Sequence, residues 1–228
     1  MDSNYDNPRW MANAVSEGRH RSLIGGGWEV IGALQLKFLS ANGLKPEHAL
    51  LDVGCGSLRG GVHLVPYLNA GNYFGININQ PLLDAGYEKE IIPLNLADRL
   101  PRENLAAVGD FDVAPIFNRT FDYLLAVSVF THLNWNRIRQ AIENLAAVAR
   151  PGSVFFATYF HLPEDARANA PHTQPPGQHT TFGHRDPFHY RVSDFEQAIR
   201  NLPWRLEGSR EWNHPRGQRM LTFTRLDH

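Results

Sequence analysis

Apolar residues first recur at helical spacing at Trp28, Val30, Ile31, Leu34, Leu36, Phe38 and Leu39, and Asn42-Gly43 supplies a stop signal. The spacing predicts a helix over 28–41. Upstream, residues 1–20 have no apolar period and include Pro8 and Gly18, which reads as an arm or short helix. After Pro46 the pattern changes. Short apolar runs at 49–53, 72–78, 105–109, 121–129 and 153–160 read as buried strands. Helical patterns near 64–68, 81–92 and 135–149 lie between them. Strands thus alternate with helices about every thirty residues, the signature of βαβ units and a parallel sheet covered on both faces.

The stretch 161–187 breaks this rhythm. Five of its 27 residues are proline and periodicity vanishes, so a structureless lid-like insertion over 161–190 is expected. Ser193 and Glu196 read as a capping box starting a helix to Asn201. Residues 204–212 and 220–226 then form an antiparallel hairpin turning at 213–217. The expected organisation is an N-terminal arm and helix over 1–48, followed by one domain over 49–228.

Composition narrows the classes. The 228 residues suit one domain able to bury a core unaided. Twenty-two basic against 23 acidic residues argue against a nucleic-acid partner met through a broad basic face. The single cysteine allows no internal disulfide and points to a reducing, cytoplasmic setting. No apolar run is long enough to span a membrane, so no membrane partner is expected.

The chemistry concentrates in Leu51-Asp52-Val53-Gly54-Cys55-Gly56-Ser57-Leu58-Arg59-Gly60-Gly61. Glycines after a first strand let backbone approach a ligand at the carboxyl edge of the sheet. A dinucleotide fingerprint would need glycine where Arg59 stands. With the YFGININ strand, the VGDFD segment, FDYLLAVSVFTHL, ARPGSVFFATYF and the final hairpin, the chain resembles the class I S-adenosylmethionine-dependent methyltransferases from about Leu50 onward. More closely it resembles a bacterial small-molecule subgroup with DPFHY and EWNHPRGQRML near the C-terminus.

The resemblance implies a Rossmann-like three-layer αβα sandwich with a seven-stranded sheet, order 3-2-1-4-5-7-6, the last strand antiparallel. It implies S-adenosylmethionine as cofactor and S-adenosylhomocysteine as product. Cofactor contacts are expected from Asp52, Gly54, Cys55, Gly56 and Ser57 in the first motif, and from Asn77 and Ile78 after the second strand. Asp110 and Phe111 are expected at the adenine, Ala126 and Val127 beside the methionine moiety. Asn77 departs from the family's acidic residue, and its amide offers one acceptor and one donor where a carboxylate offers two acceptors. The Cys55 position calls for a small residue and not a nucleophile.

The implied reaction is methyl transfer to a small-molecule acceptor, with oxygen or nitrogen favoured as the acceptor atom, in secondary metabolism or sugar tailoring. No metal is required. A hydroxyl acceptor needs a base. His132, in the loop after the fourth strand, is the first candidate, and a backbone-bonding histidine is the alternative. His189 and Asp186, in Asp186-Pro187-Phe188-His189-Tyr190, are the second group. Trp28, Trp135, Trp204 and Trp212 either stack an aromatic acceptor or fill the core. A homodimer stays open. So do a non-methylating role on the same fold and a non-catalytic binding subunit.

Overall fold

The computed structural model describes residues 8–176 and 179–227. Residues 1–7 of the expected arm, and 177–178 of the expected lid, lie outside them. The chain forms two compact units that divide between Gly109 and Asp110.

The first unit opens with helices α1 (Pro8–Ser16), α2 (His20–Leu23) and α3 (Trp28–Ala41). The amphipathic pattern of α3 is realised in part: Trp28, Ile31, Phe38 and Leu39 are buried, whereas Val30 is exposed. Strands β1 (Leu50–Val53), β2 (Tyr73–Asn77) and β3 (Leu105–Ala107) pair in the order β3-β2-β1, all parallel. Every residue of β1 is buried, as a continuous apolar run requires when both sheet faces are covered. Helices α4 (Gly61–Tyr67) and α5 (Gln80–Gly86) connect the strands. The helix expected over 81–92 is two pieces, because a π-helical turn, Tyr87–Ile91, follows α5.

The second unit holds β4 (Phe121–Ala126) and β5 (Ala149–His161), with the short α6 (Ala114–Phe117) before them and α7 (Trp135–Ala146) between. Strand β5 starts four residues earlier than expected, and its pairing with β4 shifts register between Phe121 and Tyr123. Strands β6 (His172–Gln174), β7 (His179–Thr181) and β8 (His189–Tyr190) follow, then α8 (Val192–Ala198), β9 (Trp204–Arg210) and β10 (Arg219–Arg225). Neighbours run β4-β5-β10-β9, with β10 antiparallel to both β5 and β9. The orders 3-2-1 and 4-5-7-6 and the reversed last strand match a Rossmann-like α/β methyltransferase fold. Phe155 stacks on Phe223, and Phe130 on Phe195, at the centre of this unit's core.

Two expectations change. The insertion is not structureless: β6 and β7 form a hairpin, and β8 runs parallel to the end of β5. Its interior is polar, since buried Gln174 donates to His161 O and Thr181 Oγ1. The cap of α8 is displaced from Ser193 and Glu196 to Arg191, whose backbone N–H donates to Asp194 Oδ2 at 2.8 Å. Pairing of β8 ends at Tyr190, so the helix begins as soon as the chain leaves that strand. On α7, Arg137 lies over the Phe111 ring and Arg139 donates to Ala198 O. Among the described residues no helix is long and apolar enough to cross a membrane.

Candidate active site

In the first unit the glycine turn alternates left-handed residues: Gly54 at φ 74°, Gly56 at 58° and Leu58 at 66°. The Gly54 and Cys55 N–H groups both donate to Ile76 O, which ties the turn to the end of β2. Position 56 admits only glycine, since a Cβ there would stand 2.7 Å from Ile24 Cγ2. Cys55 is buried, and desolvation with Asp52 nearby pushes its thiol well up, so it is no thiolate nucleophile.

Asp52 is also buried, and its carboxylate accepts from Tyr73 Oη at 2.7 Å. Burial pushes its pKa up to about 6, although the Tyr73 hydrogen bond and the Arg59 charge oppose this. Its side chain thus serves the interior of the unit. Ser57 Oγ donates to His20 O at 3.1 Å. Asn77 Oδ1 accepts from Asn79 N at 2.8 Å, and the half-exposed Ile78 lies beside Gly109.

The expectation that the N-terminal arm with Arg19, His20 and Arg21 folds over this site is met at the glycine turn, which that segment crosses as a strap. Arg59 Nη1 donates to Ile24 O and Gly26 O, at 3.2 and 2.9 Å, so the residue that spoils the dinucleotide fingerprint holds the segment after α2. Arg21 makes two 2.7 Å bonds to the Glu90 carboxylate, and His20 Nε2 lies 2.7 Å from Glu90 Oε1. Glu90 is buried in the π-helical turn. Desolvation raises its pKa, but the Arg21 and His20 contacts outweigh that and hold it below the usual carboxylate range. A π-turn often marks a functional position. Trp28 sits under the Arg21 guanidinium at 4.7 Å.

In the second unit Asp110 is exposed, with Oδ1 accepting from Asp112 N and its carbonyl accepting from Asn144 Nδ2. Phe111 is buried at φ 66°. Ala126 and Val127, at the carboxyl end of β4, are buried. The chain then turns at Ser128, φ 60°, into a 3-10 turn over Phe130–His132.

There His132 Nδ1 lies 2.6 Å from Asp186 Oδ1. The insertion is fastened to this loop by Phe188 N donating to Thr131 O at 2.7 Å and Tyr190 Oη donating to Leu133 O at 2.6 Å. A carboxylate only accepts, so Nδ1 donates in this contact, and in that tautomer the basic nitrogen of the ring is Nε2. That tautomer can take a proton from an acceptor hydroxyl.

The structure separates His189 from this pair. His189 is buried, with Nδ1 3.0 Å from Thr181 Oγ1 and Nε2 3.1 Å from Ala168 O. Burial lowers its pKa, so it is a neutral ring donating from Nε2 inside the insertion. It also borders a cavity of about 430 Å³ that Trp135, Leu162, Tyr190, Arg191 and Asp194 line. Trp204 is core, its Nε1 donating to Ile142 O, and Trp135 Nε1 donates to Asp194 O. Among the described residues no three His, Cys, Asp or Glu side chains gather as a metal would need.

A family model for the methyltransferase domain matches residues 51–155. Among curated proteins the chain is 24% identical over 164 residues to sterol 24-C-methyltransferase erg6 of Schizosaccharomyces pombe, covering 72% of this chain. It spans 41% of that relative's length. Among solved structures, magnesium protoporphyrin IX methyltransferase of Synechocystis PCC 6803 with bound SAM superposes at a TM-score of 0.65, with 14% identity over 99% of this chain and 98% of that one. The [4+2]-cyclase SpnF superposes at 0.62, with 14% identity over 86% of this chain and 82% of that one. Residues 51–155 therefore match the methyltransferase-domain model, and the chain has the fold of class I S-adenosylmethionine-dependent methyltransferases.

Proposed function

We propose that this chain transfers a methyl group from S-adenosylmethionine to a hydroxyl oxygen of a small-molecule acceptor. The observation that carries the reading is the His132–Asp186 contact just after β4, in which Nδ1 donates to the carboxylate and Nε2 is the ring atom that would take a proton. Ligands of open α/β sheets bind at that edge.

The residues present fit the cofactor. The left-handed glycines shape a tight turn at the carboxyl end of β1, and among the described residues Asn79 Nδ2 is a buried donor with no hydrogen-bond partner. Gly54, Gly56 and Ser57 would bind the methionine and sugar portions, supported from below by Asp52 and Cys55. Asn77 would meet the ribose and Ile78 the adenine face. Asp110 and Phe111 would hold the adenine, and Ala126 and Val127 would border the methionine end. When bound, S-adenosylmethionine supplies an already activated methyl. The protein's own tasks are alignment and exclusion of water, which lower such a barrier by several kcal/mol. His132 would remove the acceptor proton, with Asp186 fixing its ring. His189 would keep the insertion folded beside the acceptor. The near-neutral charge supports a small acceptor over a nucleic acid.

Calorimetry with S-adenosylmethionine and S-adenosylhomocysteine tests the first half. Release of S-adenosylhomocysteine against a panel of hydroxylated small molecules tests the second, and loss of that release in His132→Ala ties it to the pair. One observation favours a second reading, a non-methylating role on this fold: Asn77 stands where a ribose-binding acid is expected, and a [4+2]-cyclase shares the fold. Cofactor binding without methyl transfer to any acceptor would support it.

A further inference from the structure

The last rung of the β4–β5 ladder is Ala126 against Ala157. Beyond that rung a side chain takes over: Ser128 N donates to Thr158 Oγ1 at 2.7 Å. Thr158 Oγ1 in turn donates to Gln218 Oε1 at 2.7 Å, and Ser128 Oγ donates to the same oxygen at 3.0 Å. Thr158 and Gln218 are both buried, and Gln218 comes from the connection just before β10. Ser128 is left-handed at φ 60°, a conformation that a non-glycine residue holds only when its surroundings impose it. The chain of bonds continues outward. Ser128 O accepts from Thr131 Oγ1 at 3.1 Å, and Thr131 O accepts from Phe188 N beside the Asp186-Pro187 step.

The geometry points to Gln218 as a positioning residue for the reaction proposed above, on whose cofactor assignment this inference rests. One amide oxygen, 90 residues away in sequence, holds the two hydroxyls that bend the chain at Ser128. That bend sets the backbone after β4, which would face the methyl donor, and the turn carrying His132 that follows it. Without this acceptor the two hydroxyls lose a shared buried partner, and the strained turn relaxes toward ordinary backbone.

The test compares Gln218→Met, which keeps the shape and removes the acceptor, with Gln218→Glu, whose carboxylate still accepts from both hydroxyls. S-adenosylhomocysteine affinity is measured by calorimetry, amide exchange over residues 127–132 by mass spectrometry, and the unfolding midpoint by heating. The expected result is about tenfold weaker binding and faster exchange in Gln218→Met with the midpoint lowered by a few degrees, and Gln218→Glu restoring binding and exchange. Wild-type affinity and exchange in Gln218→Met would overturn the inference, as would Gln218→Glu behaving like Gln218→Met. Should Gln218→Met fail to fold, Thr158→Val against Thr158→Ser gives the same readouts, and an unaffected Thr158→Val overturns it. Failure of the wild type to bind S-adenosylhomocysteine counts against the cofactor reading, and the exchange comparison still decides the role of Gln218.

Discussion

Asn77 Oδ1 accepts from Asn79 N at 2.8 Å, so the accepting atom of the residue expected at the ribose is already committed to its own turn. The atom left over is an amide donor. Asn77→Asp keeps the turn and replaces that donor with a second, charged acceptor. Charge-assisted hydrogen bonds are roughly twice as strong as neutral ones. The variant should therefore bind S-adenosylhomocysteine about tenfold tighter. Calorimetry giving equal or weaker binding would place the ribose elsewhere.

The His132–Asp186 contact predicts a graded pair of effects. General-base catalysis contributes about 10²- to 10⁴-fold, so His132→Gln should lower kcat by about that range. Asp186→Asn keeps an oxygen for the Nδ1 proton but loses the charge that steadies the imidazolium, so a smaller loss is expected. Cofactor affinity should hold in both. Steady-state rates of S-adenosylhomocysteine release with a responsive acceptor check the order. If His132→Gln turns over like the wild type, the base lies elsewhere.

Glu90 ties the strap over the glycine turn through Arg21 and His20. Glu90→Gln keeps an acceptor and removes the charge, which should cost about 1–3 kcal/mol, the upper end discounted because Arg21 is half-exposed. The sign with pH follows from the carboxyl being held below its usual range. Its contribution is complete above the unfolded carboxylate pKa and lost as pH falls through the folded one. The gap between wild type and variant should accordingly be widest near neutrality and close on acidification. Urea unfolding at several pH values measures it. Tryptic cleavage after Arg19 or Arg21 should also quicken in the variant, and unaltered cleavage would mean that the strap is held without Glu90.

What the chain discloses about itself depends on the kind of contact. Strands β1, β2, β4 and the final hairpin are legible because apolar runs bounded by glycine and proline report burial directly. The insertion is not, because its interior is Gln174, Thr181 and His189, and hydrophobic periodicity does not register a polar core. His132 and Asp186 can each be singled out by residue type and place. Their pairing across 54 positions is set by Phe188 N and Tyr190 Oη, which local pattern does not encode. Arg59 carried a visible signal, a bulky cation where a third glycine was expected. Glu90 carried none, since one acid on a helix looks like any solvated one.

Asp52 gives the remaining prediction. Its pKa is pushed up to about 6 by burial, so the folded state binds the proton more tightly than the unfolded chain does. Stability from this group is therefore greatest below the unfolded carboxylate pKa and declines as pH rises through about 6. Two pKa units correspond to about 3 kcal/mol, an upper bound on the cost of ionising it in place. Asp52→Asn removes that cost and can still accept from Tyr73 Oη. It should be more stable than the wild type by about 1–3 kcal/mol at pH 7.5 and close to it at pH 4. A residue retained against stability is retained for a task, and Asp52 sits directly beneath the glycine turn. The same variant should then bind S-adenosylhomocysteine more weakly. Chemical denaturation at the two pH values, with calorimetry beside it, separates the outcomes. A variant less stable at both pH values would mean that the Arg59 charge, and not desolvation, dominates at Asp52.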